Sequence, residues 1–216
     1  MDVIYCAGHN RALMQIAYEA GYSLGIRSDL NAYDFPISFV DIEYRKPDFD
    51  AHLATVKKHQ PKYATVPDLS EDETSERDIQ RAVFQAEQLA QYCEIPLIVP
   101  KRSGQLPLIP SKYAIAYSIP TSYGGAKYGL WKLTSRRVHL LGGSPHEQMK
   151  LYRYLPQGVM SADGNMAQKM AVQFAKYWRN RSWIEHPQRG RGIEDLYLEC
   201  WQWSCQNIYR YWQNNL

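Results

Sequence analysis

The sequence has no apolar run approaching the roughly 20 residues that a membrane-spanning helix needs, so we expect no membrane association. Its first residues lack a basic segment followed by an apolar one, which predicts no secretory signal. Cysteine is scarce: the chain has only four, and their wide spacing indicates neither a disulfide framework nor a four-ligand zinc site. A reduced, cytoplasmic setting is therefore expected.

Several metal- and nucleotide-binding motifs are also missing. The sequence contains no HExxH, no CxxC and no P-loop, which argues against a zinc metalloprotease, a zinc ribbon and a P-loop NTPase. No GxGxxG follows the first predicted strand, so a dinucleotide-binding fold is disfavoured. We expect no metal and no cofactor. The net charge of +3 does not by itself indicate a partner.

What the chain does contain is typical of a globular protein. Its 216 residues suit one domain or two small ones, and hydrophobic residues make up 45% against 22% charged. The aromatic content is unusual, with 17 Tyr and 6 Trp. Rings in such number need a surface to pack against.

Short apolar runs alternate with polar helical stretches along nearly the whole sequence. Eight such runs, most of them separated by helices, predict an α/β protein whose parallel sheet closes into a compact (β/α)8 TIM barrel over residues 1–178. An open doubly wound sheet is the alternative. The connections after the second and fifth strands show no clear helix. The predicted strands are Val3–Ala7, Ser23–Ile26, Ile37–Ile42, Tyr63–Val66, Pro96–Val99, Ala114–Ile119, Val138–Leu141 and Val159–Ala162.

The segment after the barrel, residues 179–216, is predicted to form a basic loop and an extra C-terminal aromatic helix that packs on the barrel. Helical patterns cover Met166–Trp178 and Ile193–Trp212. Basic side chains interleaved with aromatic ones can hold phosphates and stack bases, and a solvated loop is the alternative interpretation. The basic residues of this region are Lys176, Arg179, Arg181, Arg189 and Arg191.

In a (β/α)8 barrel the functional groups lie where the strands end at their carboxyl side. Several carboxylates facing one mouth are costly unless they bind a cation or take part in chemistry. Without a metal motif they indicate glycosidic-bond cleavage, in which one carboxylate attacks the sugar and a second handles the proton. The residues at these ends are His9, Arg27, Asp29, Asp41, Glu43, Asp68, Lys101, Arg102, Gly142, Gly143 and Asp163.

Four stretches, VHLLGGSPHEQM, GVMSADGN, ISFVDIEY and KYATVPD, carry a family resemblance. Their order and content resemble the tRNA-guanine transglycosylase superfamily, the (β/α)8 enzymes that exchange guanine for a 7-deazaguanine. The resemblance implies that Asp163 is the nucleophile and that Asp41 is the second catalytic aspartate. It also implies that Asp68 recognises the base.

The sequence departs from that superfamily at several motifs. The third-strand and fifth-strand glycine motifs are replaced, and the Cys-x-Cys-x-x-Cys zinc motif with its later His is absent. In this it resembles the zinc-free branch that inserts 7-deazaguanines into DNA. The implied partners are nucleic acid (DNA favoured over tRNA), the 7-deazaguanine base and a protein partner of a modification system.

The resulting prediction is a pentosyltransferase that replaces guanine with a 7-deazaguanine through a covalent aspartyl-sugar intermediate. Asp163 and Asp41 are the expected catalytic residues. Substrate binding is expected from Asp68, Glu43, Lys101, Gly142, Gly143 and His9. Contacts with the nucleic-acid backbone are expected from Arg102, Lys176, Arg179, Arg181, Arg189 and Arg191.

Two other functions stay open. The first is a catalytically silent nucleic-acid-binding relative that acts as a subunit of a modification complex. The second is an unrelated (β/α)8 enzyme that binds a small phosphorylated ligand through Gly142 and Gly143.

Overall fold

The computed structural model describes residues 1–6, 10–122, 124–193 and 195–216. Eight parallel strands close into a barrel in which each strand pairs with the next along the chain and the last pairs with the first. The predicted (β/α)8 barrel is therefore confirmed, and the open doubly wound sheet is ruled out. The strands are β1 (Asp2–Cys6), β2 (Ser23–Arg27), β3 (Ile37–Asp41), β4 (Tyr63–Thr65), β5 (Ile95–Ile98), β6 (Ala114–Ser118), β7 (Val138–Leu141) and β8 (Val159–Gly164).

Helices cover the outside of the barrel, and polar caps fix where several of them begin. The Asp48 carboxylate accepts the Ala51 N–H at 3.0 Å, and Ser75 and Asp78 form a reciprocal capping box. Short 3-10 helices at Ser103–Leu108 and Leu130–Leu133 replace α-helices after β5 and β6. The α-helices are α1 (Arg11–Glu19), α2 (Phe49–His59), α3 (Glu76–Leu89), α4 (Pro145–Tyr154), α5 (Met166–Phe174) and α6 (Leu196–Gln213).

The inside of the barrel is a packed apolar core for most of its depth. Alternation along a strand places every second residue on the same face, so Asp41 shares the inner face with Phe39, and Thr65 shares it with Tyr63. Polar residues therefore follow the apolar layers toward the carboxyl ends of the strands. The inner core consists of Ile4, Phe39, Tyr63, Leu97, Val99, Ala114 and Ala116.

The segment after α5 differs from the sequence prediction. The helix predicted over Met166–Trp178 ends at Phe174, and part of the predicted basic loop is an antiparallel hairpin of β9 (Lys176–Arg179) and β10 (Ser182–Glu185). The two turn residues, Asn180 and Arg181, have φ of 50° and 64°. Positive φ at both central positions is the geometry of a tight hairpin turn. The helix itself ends earlier, just before Ala175, whose backbone is left-handed with φ of 48°.

The aromatic helix α6 packs along α1 and α5 and covers the seam between β1 and β8. The Trp201 indole N–H donates to the Leu13 carbonyl at 2.9 Å, and the Tyr209 ring lies 5.6 Å from that of Tyr22. Leu13 lies at the start of α1 and Tyr22 just after its end, so α6 runs in the same direction as α1. The C-terminal half of α6 therefore lies at the end of the barrel opposite the carboxyl ends of the strands.

No helix in the described ranges is both long and apolar enough to cross a bilayer.

Candidate active site

Two aspartates predicted from the sequence meet at the mouth of the barrel. Asp41 is the last residue of β3, and Asp163 is the penultimate residue of β8. Asp163 is paired in register with Leu141 on β7 and with Ile4 on β1. The negative charge of Asp163 acts on Asp41 and contributes to the raised pKa of Asp41.

Asp163 is buried, and its side chain is held in one orientation. Its Oδ1 accepts hydrogen bonds from His139 Nε2 at 3.1 Å and from the Gly142 N–H at 3.2 Å. In the described part of the chain, no donor reaches the other carboxylate oxygen, Oδ2. The Gln148 side-chain amide also binds the Asp163 carbonyl at 2.5 Å and the Gly142 carbonyl at 2.9 Å. The carboxylate is therefore fixed through one oxygen, and the second is left available.

His139 lies beneath Asp163 and is buried. Its Nδ1 is 2.8 Å from the Ser161 hydroxyl, and its ring packs 4.9 Å from that of Phe39. A carboxylate oxygen accepts hydrogen bonds, so the tautomer with its hydrogen on Nε2 donates to Asp163. In that tautomer the Ser161 hydroxyl donates to Nδ1.

The Gly142-Gly143 turn lets the backbone approach Asp163. Both glycines have left-handed backbones, with φ of 74° and 82°, a conformation that L side chains adopt at a cost. A Cβ added at Gly143 would lie 2.8 Å from the Ile119 side chain. The two glycines thus give the turn its shape, and the Gly142 N–H is already used by Asp163.

Asp41 is positioned for proton transfer near neutral pH. The Thr65 hydroxyl accepts the Ile42 N–H at 3.0 Å and donates to Asp41 Oδ1 at 2.7 Å. Burial, followed by the negative charge of Asp163, raises the pKa of Asp41 to about 7. A group with this pKa can serve both as an acid and as a base in neutral solution. Since Oδ1 accepts from Thr65, the acidic proton belongs on Oδ2.

Cys6, the last residue of β1, lies close to both aspartates. Burial raises the pKa of its thiol well above the usual value, and the charges of Asp163 and Asp41 add to the effect. A thiol in such surroundings stays protonated at neutral pH, which makes it a poor nucleophile. Cys6 is therefore a weaker candidate for a nucleophile than the carboxylates at this mouth.

The other predicted mouth residues form ion pairs at the rim. Asp68 binds Lys101 at 2.5 Å, and its charge contributes to the raised pKa of Asp41. Glu43 binds Arg27 at 2.8 Å, and Arg102 binds Glu71 at 2.5 Å. His9 lies outside the described residues. In the ranges that the structure describes, no group of three or more His, Cys, Asp or Glu side chains is arranged to hold a metal ion.

The basic residues of the tail do not lie at the mouth. Lys176 pairs with Glu185 at 3.4 Å, and Arg189 pairs with the same carboxylate. Arg179 and Arg181 line a separate cleft between the hairpin and α6. The hairpin follows α5 to the far end of the barrel and folds back on α6, so the predicted contacts of these residues with the nucleic-acid backbone stay a prediction for a surface away from the mouth. Arg191 is exposed and follows the hairpin.

Sequence reasoning missed His139, Ser161 and Thr65. A signal was present, since Thr65 ends β4, and His139 and Ser161 lie two and three residues before the ends of β7 and β8, on the same face as residues at the mouth. His139 precedes Leu141 by two positions, and Ser161 precedes Asp163 by two. Their importance depends on the β7–β8 register, which only the folded barrel fixes.

The fold is that of the (β/α)8 barrels. Solved structures similar to it include the X-ray crystal structure of the YdjI aldolase from Escherichia coli K12, with a TM-score of 0.54 and 11% sequence identity over 99% of this chain and 90% of that one. At this identity the likeness concerns the fold alone. No curated protein matches the chain. The chain belongs to DUF6610, a family of unknown function, whose model matches residues 17–213.

Proposed function

We propose that the protein is a base-exchange transglycosylase that replaces guanine with a 7-deazaguanine in nucleic acid, with DNA favoured over tRNA. The observation that carries the proposal is the pairing of a buried, oriented Asp163 with an Asp41 whose pKa lies at about 7. Covalent glycosyl transfer needs these two properties in two neighbouring carboxyl groups. The resemblance of the strand ends to the tRNA-guanine transglycosylases supports the same assignment.

In the proposed first step, Asp163 Oδ2 attacks C1′ of the target nucleotide. The bond from C1′ to guanine N9 breaks, and its electron pair leaves with the base. Protonated Asp41 donates its proton to the departing guanine, so the base leaves neutral. His139 and the Gly142 N–H hold Oδ1 throughout, which fixes the line of attack of the second oxygen.

The second step reverses the roles. The Asp41 carboxylate accepts the N9 proton of the incoming 7-deazaguanine, and N9 then attacks C1′ and displaces Asp163. Asp41 is thereby protonated again, and Asp163 is free for the next cycle. The target base has to leave its stack to reach a barrel mouth, where the Asp68–Lys101 pair would bind its polar edge.

The test is base exchange with labelled guanine on duplex DNA and, separately, on tRNA. We expect incorporation into DNA by the wild-type protein and a covalent protein–DNA adduct that survives denaturation. Asp163→Asn should form no adduct, while Asp72→Asn, which removes an exposed carboxylate before α3, should behave as wild type. No exchange on either polymer would refute the proposal.

The alternative of a small phosphorylated ligand at Gly142 and Gly143 is weakened by one contact. A phosphate-binding glycine turn needs free backbone N–H groups, but the Gly142 N–H donates to Asp163. A ligand phosphate at this turn would also face the Asp163 carboxylate. The turn is better suited to orienting the aspartate.

A further inference from the structure

A wide cleft lies on the outer side of the barrel, between the β9–β10 hairpin and the C-terminal half of α6. Its volume is about 820 Å³. It is open to solvent, since Arg179, Arg181, Gln206 and Arg210 are exposed. The lining residues are Tyr177, Trp178, Arg179, Asn180, Arg181, Trp203, Gln206, Asn207, Arg210, Tyr211, Asn214 and Asn215. We call this the hairpin cleft.

The charged side chains that line the hairpin cleft are all positive. Three guanidinium groups, those of Arg179, Arg181 and Arg210, belong to its lining, and none of the described residues that line it carries a carboxylate. Within the described part of the chain these three arginines form no ion pair, in contrast to the basic residues of the mouth and to Lys176 and Arg189. Their positive charge is therefore available to a ligand.

The uncharged groups of the hairpin cleft favour phosphate. The exposed side chains of Asn180, Gln206 and Asn214 offer amide donors between the guanidiniums. The aromatic faces are largely occupied: Tyr211 packs on Trp178 at 5.0 Å and lies under the Arg181 guanidinium at 5.8 Å. Recognition by this surface thus relies on exposed donors to anionic oxygens and not on stacking of bases.

The spacing of the donors favours a chain of phosphates over one small anion. The guanidiniums come from three places, the end of β9, the hairpin turn and the last turns of α6, and all are exposed. A site for a single small anion would bury its charged groups around one point, whereas a nucleic-acid backbone presents separate phosphates to separate arginines.

We propose that the hairpin cleft binds the phosphate backbone of nucleic acid at a site separate from the mouth of the barrel. Trp201 lies beside the start of α1, and Arg210, the cleft arginine of α6, lies nine positions further along that helix. At 1.5 Å per residue this places the Arg210 backbone roughly 13 Å along the helix axis from the mouth side. The cleft would anchor nucleic acid that is not in the mouth, either a segment that flanks the target nucleotide or the second strand of the duplex. The proposal shares with the proposed function only the assumption that nucleic acid is the partner.

The test measures binding of a 40-base-pair duplex and of its single strands to the full-length Asp163→Asn protein, so that turnover does not interfere. In that background, replacing Arg179, Arg181 and Arg210 together with Gln should weaken binding at least tenfold at 50 mM salt. It should also reduce the slope of log affinity against log salt by about 2–3, since about 0.9 counterion is released per phosphate contact on duplex DNA.

The matched control removes three exposed positive charges that belong neither to the cleft nor to any predicted contact, by Lys57→Gln, Lys58→Gln and Lys132→Gln. We expect its binding to fall less than threefold. Replacing the three cleft arginines with Lys should restore most of the binding. Near-ultraviolet circular dichroism and thermal unfolding verify that each variant is folded.

Three outcomes would overturn the proposal: unchanged binding of the cleft variant, equal losses in the cleft and control variants, or binding to phosphatidylserine vesicles in place of DNA. These results are independent of base exchange. Lost DNA binding by the cleft variant would support the hairpin cleft even if no exchange were found. Conversely, base exchange by the wild-type protein together with normal DNA binding by the cleft variant would refute the proposal for the cleft and leave the proposed function intact.

Discussion

The raised pKa of Asp41 predicts that its carboxylate destabilises the folded protein at neutral and alkaline pH. The pKa is about 7 in the folded state against an ordinary 3.8. The folded state therefore holds this proton more tightly than the unfolded chain does. The free energy of unfolding should fall as pH rises from about 4 to about 7 and then level off.

The magnitude follows from the same two values. One pKa unit corresponds to about 1.36 kcal/mol, so the full shift sets a ceiling of about 4 kcal/mol at pH 8. Asp41→Asn keeps an acceptor for Thr65 but adds an amide that needs a partner, at a cost of about 1 kcal/mol. We expect the variant to be about 2–3 kcal/mol more stable than wild type at pH 8, a gain of about 5–10 °C in Tm for a chain of this size.

The assay is urea unfolding of both proteins at pH 4.5, 6 and 8. The stability difference between Asp41→Asn and wild type should grow by about 3 kcal/mol from pH 4.5 to pH 8. Asp72→Asn, in which the lost carboxylate is exposed, should show no such growth. A difference that is the same at all three pH values would refute the electrostatic reasoning, whatever the activity of the variant.

Further predictions concern the mouth and the metal content. Asp163→Asn should reduce exchange by about three orders of magnitude while the protein stays folded; near-normal single-turnover exchange would show that another group attacks. His139→Gln should lower kcat about tenfold to 100-fold with KM unchanged, because one buried hydrogen bond to a charged group contributes about 1.5–3 kcal/mol, and an equal rise in KM would mark a merely structural role. In urea unfolding at pH 8, the stability gain from Asp41→Asn should be smaller in an Asp163→Asn background than in wild type, because the charge of Asp163 contributes to the raised pKa of Asp41; an equal gain in both backgrounds would show that the two charges are not coupled. Elemental analysis should find less than 0.1 equivalent of zinc, and about one equivalent would overturn the prediction of no structural zinc.

The sequence predicted the barrel because short apolar runs that alternate with helical stretches are local patterns. The strand Val138–Leu141 was predicted at its observed bounds. The hairpin was missed because Tyr177 and Trp178 continue the helical pattern of α5, whereas the helix is interrupted before them by the left-handed backbone of Ala175. An apolar pattern in the sequence does not show that an alanine takes this conformation.

The candidate site was predicted only in part. Asp41 and Asp163 could be found because they end strands, and strand ends converge in a barrel. Their partners His139 and Ser161 lie within strands. A sequence pattern does not show whether a polar side chain inside a strand binds another buried polar group. The ion pairs of Asp68 and Arg102 join residues that are 33 and 31 positions apart in the chain, so no local pattern identifies them.

The packing of α6 on α1 has a consequence for how the protein is made. The Trp201–Leu13 hydrogen bond joins residues 188 positions apart, and the Tyr5 ring on the first strand packs 4.5 Å from that of Trp201. During synthesis the first βα unit leaves the ribosome long before its covering helix exists. The seam between β1 and β8 can be covered only after α6 has been translated. Until then β1 and α1 present an apolar surface that chaperones can bind and that favours aggregation.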